Sequence, residues 1–360
     1  MATLKDIARE AGVSVTTVSN VINKKFDRAS PDLVKKIQAI AHSNNYVPSM
    51  TARTLAGKAS PIIGVINHTV PRKGSGLMAD PFHNIFIDSI ERYSRARDYF
   101  IMVRTVEDAK GLETVCRNWN LAGIILVGMF RDIFFETVRK IGIPYVLIDS
   151  YVDLPEVCNV GLEDQRGGYL ATRHLLENGH RTIAFTSPPI RENGVVEQRL
   201  AGYKQALAEF GVSFDPALVY EQEIGVEEGI KLGRALSERK QITGIFATAD
   251  ILAAGIVSGL GDKGIRVPEH KSIVGFDDNY LCQITSPRLT TIHQSIEEKG
   301  IVATEMMANL LAGKRIKEKK RVLPVRLVER ESVANIGKAG GAQAPGRPSC
   351  FAEQNERERV

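Results

Sequence analysis

Cysteine is scarce in this chain: four in 360 residues, Cys116, Cys158, Cys282 and Cys350, all widely spaced. No C-x-x-C pair occurs and no closely spaced histidines complete a zinc tetrad, so a zinc module and a disulfide framework are excluded and reduced, structural thiols are expected. Long apolar runs are missing too. The longest stretches, such as residues 123–130, fall far short of the run of about 20 that crosses a bilayer, so no membrane partner is expected. The first 30 residues carry Lys5, Asp6, Arg9, Glu10, Lys24, Lys25, Asp27 and Arg28. They never form the apolar block of a secretory signal, which predicts a cytoplasmic location. Phosphate-loop, H-E-x-x-H and nucleophile-elbow patterns are all lacking. Gly259, Gly261 and Gly264 do spell G-x-G-x-x-G, but a dinucleotide fingerprint follows a strand and opens a helix, whereas this one closes a helical pattern and precedes a strand. His174 and His180 are six apart, a poor spacing for two ligands on one helical face. No catalytic residue, cofactor or metal site is therefore expected.

What is present fits an ordinary globular chain of two or three domains: 43% apolar and 25% charged residues. The net charge of +5 is unevenly placed. Residues 1–60 hold nine Lys/Arg against four Asp/Glu, leaving 38 of each sign in the remainder. A small basic head on a neutral body suggests a polyanion-binding module attached to a domain with another task.

In the head, Thr3 can cap a helix whose apolar positions Leu4, Ile7, Ala8 and Ala11 recur at helical spacing, and Gly12 ends it. Ser14 starts a second helix with Val18, Val21 and Ile22 inward. Two short helices about a glycine turn make a helix-turn-helix. A third opens at Ser30-Pro31 and buries Leu33, Val34, Ile37, Ile40 and Ala41. In this arrangement the start of the second helix enters the major groove. That exposes Val15, Thr16 and Asn20 to base edges, Val15 toward a thymine methyl and the other two as hydrogen-bonding groups. Ser14, Thr17, Ser19 and Asn23 are better placed for phosphates.

These residues carry a resemblance. The run LKDIAREAGVSVTTVSNVIN, the helix from Ser30 and the segment YVPSMTARTLAG are similar to the DNA-binding headpiece and hinge of the LacI/GalR family of bacterial regulators. The resemblance implies a hinge helix, matched by residues 49–57, that orders on operator DNA and inserts Leu55 into the minor groove, with Arg53 beside it on the backbone. Such a wedge unstacks a base step and bends the duplex. So short a helix is not stable alone, which couples its folding to DNA.

From Pro61 onward, short β-branched runs alternate with amphipathic stretches. Strands are expected at 62–66, 99–103, 123–127, 145–149, 182–186, 244–248, 272–276 and 322–328, with helices between most of them. The pattern indicates parallel sheets covered on both faces. The segments VLID, GGYLATRHLLENGHRTIAF, QRLAGY, GFDD and LTTIHQ continue the resemblance. It implies a periplasmic-binding-protein-like α/β core of two doubly wound parallel-sheet subdomains, following the small all-α three-helix DNA-binding domain and its hinge helix. The expected domains are a headpiece at 1–48, a hinge at 49–60, a core at 61–335 and a disordered tail at 336–360. Within the core, the first subdomain takes 61–160 and 290–321 and the second 161–289 and 322–335, with crossovers near 160, 289 and 322.

In that fold an effector binds between the subdomains, at the carboxyl ends of strands. The resemblance assigns Asp149 as acceptor for ligand hydroxyls, Arg199 as an effector clamp and Asp277 in the GFDD turn. Gln294 follows a crossover, Asp250 contacts ligand or caps its helix, and Phe82 and Phe276 supply apolar walls. Carboxylates with a guanidinium suit a polyhydroxylated ligand, a sugar or sugar derivative first and a nucleobase second. Three departures bear on ligand identity. Ala249 stands where the family usually has asparagine, Ile224 where some sugar-binding relatives have an aromatic, and the loop at 67–81 is longer and includes Arg72 and Lys73. The expected function is a ligand-responsive repressor of carbohydrate genes, a homodimer on palindromic operator DNA. The rivals from other classes are a solute-binding protein and a doubly wound enzyme.

Overall fold

A computed structural model describes residues 2–22, 25–46, 60–68, 76–130 and 132–337. Several expectations lie outside the described residues: Asn23, the hinge with Arg53 and Leu55, the loop cations Arg72 and Lys73, and positions 338–360.

The head is three helices, α1 (Leu4–Ala11), α2 (Val15–Ile22) and α3 (Pro31–Ser43). Thr3 and Asp6 form a capping box at the start of α1, and Gly12 ends it with φ 72°, a left-handed conformation that suits glycine. Ser14 Oγ accepts from Thr17 N at 3.1 Å to cap α2, and Ser30 Oγ accepts from Leu33 N at 3.4 Å before Pro31 in α3. Each cap stabilises its helix by about 1 kcal/mol. The core is Ile7, Ala8, Ala11, Val18, Val21, Ile37 and Ala41, the faces that helical periodicity marks.

The body alternates strand and helix. Its first stretch is β1 (Ile62–His68), α4 (Pro81–Arg95), β2 (Phe100–Val106), α5 (Ala109–Trp119), β3 (Gly123–Val127), α6 (Ile133–Ile141), β4 (Tyr145–Ile148) and β5 (Cys158–Leu162). The second is α7 (Asp164–Glu177), β6 (Ile183–Ser187), α8 (Val195–Glu209), β7 (Val219–Glu221), α9 (Val226–Ser237), β8 (Gly244–Ala247), α10 (Asp250–Gly261), β9 (Ser272–Asp277), α11 (Leu281–Ile284) and β10 (Thr290–Gln294). It closes with α12 (Ile296–Leu311), β11 (Lys320–Leu323) and β12 (Val325–Val328). Two six-stranded sheets result, in the orders β11-β5-β4-β3-β1-β2 and β12-β10-β9-β8-β6-β7. Every pair is parallel except β10 with β12.

The structure moves several expected boundaries. β10 pairs with β9 and β12, so the second crossover follows Gln294 and residues 290–294 belong to the second sheet. The expected strand at 322–328 is two strands in different sheets, because Pro324 has no N–H to give a ladder. The core also reaches beyond 335. Ile336 N donates to Asn178 O at 2.9 Å, and Gly179, at φ 91°, leaves room for Gly337 beside it. The G-x-G-x-x-G run falls at the end of α10, with Gly264 in the loop beyond it.

Helices α7 and α8 meet backbone to backbone. A Cβ on Gly202 would stand 1.9 Å from Gln165 O, and one on Gly168 2.0 Å from Arg199 O. Gly202→Ala must therefore push α8 away, at a cost of about 1–3 kcal/mol or more. Urea unfolding of the variant should show that loss, and an unchanged midpoint would contradict the close approach.

Candidate functional site

The first candidate surface is the start of α2. Val15 is an exposed apolar side chain, at 41% exposure, and Thr16 beside it is exposed too, whereas Asn20 is half-buried. Ser14 and Thr17 hydroxyls lie 2.9 Å apart, so one donates to the other and the accepting hydroxyl keeps its own hydrogen for a phosphate. Ser19 is half-buried.

The second is a cleft of about 330 Å³ between the two sheets. Its walls come from the carboxyl ends of strands, where a doubly wound sheet leaves a crevice. Asn67 and His68 end β1, Asp149 follows β4, Thr248 follows β8, and Asp277 and Gln294 end β9 and β10. Phe82, on the first turn of α4, and Arg199, on α8, complete it. At the mouth Arg191, from the loop after β6, lies 5.3 Å from the Phe130 ring centroid, which comes from the loop after β3.

The floor is a chain of charged and amide groups reaching from one sheet to the other. Lys299, on α12 and with no solvent exposure, donates to Asp149 Oδ1 at 2.8 Å, Asp149 Oδ2 at 2.7 Å and Gln294 Oε1 at 2.8 Å. Gln294 Nε2 donates to Asp277 Oδ1 at 2.5 Å. Arg199 Nε donates to Asp164 Oδ1 at 2.9 Å and its Nη1 to Thr248 O at 2.8 Å. Its guanidinium lies 3.6 Å from the Phe276 ring centroid, and Tyr151 Oη donates to Asp164 Oδ2 at 2.9 Å. Thr248 Oγ1 is buried with no hydrogen-bond partner and belongs to a cleft-lining residue. An unpaired buried hydroxyl is costly, so a bound molecule that pairs with it gains. Two of the acids hold left-handed backbone, Asp149 at φ 52° and Asp277 at φ 120°, a strain of about 1–3 kcal/mol each that tends to concentrate at binding sites.

Burial acts on two of the acids at the cleft. It raises Asp277 well above the usual carboxylate range, and the charge of Asp250 adds to the effect. Asp164 is raised by burial more than Arg199 lowers it.

Of the residues singled out in the sequence, the structure brings Phe82, Asp149, Arg199, Asp277 and Gln294 to the cleft. Asp250 and Phe276 are elsewhere. Asp250 is neither ligand-facing nor a cap: Ala249 is the N-cap of α10. The Asp250 carboxylate is buried behind the wall, accepting from Thr291 Oγ1 at 2.6 Å and Asn279 N at 3.0 Å. Phe276 is fully buried and supports Arg199 from beneath rather than forming a wall. Lys299, Asp164 and Thr248 are additions. Lys299 shares the stripe Ile296, Lys299, Gly300, Ala303 and Met307, all buried. A lysine on an apolar helical stripe is the signal that could have found it.

Comparison with known proteins bears on both surfaces. Residues 3–49 match the family described as bacterial regulatory proteins, lacI family, and residues 172–333 a periplasmic binding protein-like domain. The HTH-type transcriptional regulator DegA of Bacillus subtilis is 31% identical over 342 residues, covering 93% of this chain and 98% of that protein. The ribose operon repressor of Haemophilus influenzae is 30% identical over 342 residues, covering 93% of this chain and 100% of its own. Among solved structures, the lac repressor dimer bound to operator and the anti-inducer ONPF superposes with a TM-score of 0.77 at 25% identity, covering 92% of this chain and 99% of that one.

Proposed function

This chain belongs to the lacI family of bacterial regulatory proteins, and from that premise we propose a ligand-responsive repressor that binds a palindromic operator as a homodimer and is controlled by a small effector in the cleft. The observation that carries the reading is the floor. A molecule that touches both Asp149 and Asp277 contacts the ends of strands in different sheets, so its binding energy depends on how the sheets are oriented. A ligand with such a preference shifts the population of orientations, and through it the geometry of the paired headpieces. Pairing matters because the second headpiece then binds intramolecularly. Carboxylates, amides and a guanidinium favour a sugar or sugar derivative. A nucleobase is the second reading, supported by the Phe82 and Phe130 rings at the cleft.

Selection from randomised duplexes tests the DNA half: the full chain should enrich one inverted repeat, and enrichment of none would end the proposal. Operator must change effector affinity by the same factor as effector changes operator affinity. Within the repeat, Asn20→Ala should relax preference at one base position by about 1–3 kcal/mol, while Thr17→Ala should weaken all sequences alike. Binding-site profiles of the two variants decide this, and identical profiles would overturn the assigned roles.

A further inference from the structure

Lys299 has no counterpart in the sequence reading, and its surroundings give it a definite task. An ammonium has three hydrogens and no acceptor. All three are used, two on Asp149 and one on Gln294 Oε1. Fixing the Gln294 oxygen toward Lys299 leaves its amide nitrogen toward Asp277, the direction found. The lysine therefore orients the chain of groups from one sheet to the other and cancels the charge of Asp149.

Charge around the cleft then balances. Lys299 is paired with Asp149 and Arg199 with Asp164. Arg191, at the mouth, lies over the Phe130 ring; among the acids lining the cleft, Asp80 is bonded to His83, while Glu223 and Asp277 bring further carboxyls. No cation among the described lining residues is in surplus over the acids. At the floor, where both cations are paired, an anionic group would lose its hydration and meet no uncompensated positive charge, a large cost. Hydroxyls, by contrast, find second lone pairs on Asp149, the Asp277 carboxyl and the unpartnered Thr248 Oγ1.

We propose that Lys299 is a specificity-determining positioning residue of the cleft: by neutralising Asp149 and orienting Gln294, it makes the site select an uncharged, hydroxyl-bearing effector over a phosphorylated or carboxylated one. This rests on the cleft being the effector site of a regulator.

The test has two parts. Thermal shifts of the full chain are measured with D-ribose, D-galactose, D-glucose and cellobiose, and with ribose 5-phosphate, glucose 6-phosphate, galacturonate and adenine. Stabilisation by mass action should be confined to uncharged sugars. A shift with only the phosphorylated or carboxylated members, with adenine alone, or with none of the sugars overturns the inference. An anion hit would also direct attention to Arg72 and Lys73.

The second part takes the sugar giving the largest shift and its amino-deoxy analogue, each titrated by calorimetry into wild type and Lys299→Met. Removing the cation leaves Asp149 uncompensated, so the affinity ratio should move about tenfold toward the ammonium-bearing analogue. Equal weakening of both ligands would reduce Lys299 to packing and overturn its role in selection. Operator selection on the same preparations separates the two levels. Retained preference for an inverted repeat with a failed selectivity shift leaves the regulator standing without this inference, whereas loss of that preference in wild type removes the premise.

Discussion

Arg199→Ala should destabilise the protein by on the order of 3–5 kcal/mol and abolish its ligand response. Arg199 is 8% exposed, and its removal strands Asp164 without its ion pair, Thr248 O without its donor and the Phe276 ring without its cation. For a body of this size the melting temperature should fall by on the order of 10 °C. Burial already raises Asp164, so in the variant that acid escapes part of the penalty by taking up a proton, and the loss should be smaller at pH 6 than at pH 8. Adding Asp164→Asn should restore much of the stability but none of the response, because the stranded charge is gone while the cleft still lacks its guanidinium. Thermal unfolding of both variants checks the first point and effector titration the second. A stable single variant with a normal response would place the ligand elsewhere.

The second large effect is on pH dependence. Burial raises the Asp250 carboxyl to about 6, although Thr291, Asn279 and Cys282 all hydrogen bond in the opposing direction. The unfolded chain releases this proton near the ordinary 3.8. Between those values the folded state binds more protons than the unfolded state, so Asp250 makes stability fall as pH rises through the window, and the fall ends above about 6. Its size is on the order of 3 kcal/mol. Urea unfolding of wild type and Asp250→Asn at pH 4, 5, 6 and 7 isolates it. The Asn variant loses hydrogen bonds at every pH, so the informative quantity is the difference in slope. Parallel curves would mean that Asp250 ionises as freely in the folded protein as in the unfolded one.

Much of this molecule can be read without coordinates, for identifiable reasons. Caps and apolar periodicity are local, so Thr3, Gly12, Ser14 and Ser30 punctuate the head where sequence puts them. Strand-end acids are legible as well, because Asp149 and Asp277 each follow an apolar run that forms a strand. Depth is what the chain conceals. Asp250 and Thr248 are two residues apart, yet only Thr248 lines the cleft, since the first turn of α10 sends Asp250 behind the wall toward Thr291. Phe276 immediately precedes Asp277, and alternation along β9 sends its ring to the other face, under Arg199. The missed lysine belongs with these: its pairing with Asp149 spans 150 positions, a contact no local pattern contains. Pro324 shows the opposite failure, one apolar run read as one strand where a single imino acid divides it between sheets.

That division also limits how the two halves can move. A lone residue between β11 and β12 supplies no slack, so the lobes cannot draw apart along the line joining them and are left to swivel about their shared seam. A circularly permuted chain opened at Pro324 should retain both lobes, held by the other two crossovers, yet transmit effector occupancy to the operator-binding end less faithfully, because one of the three tethers would be gone.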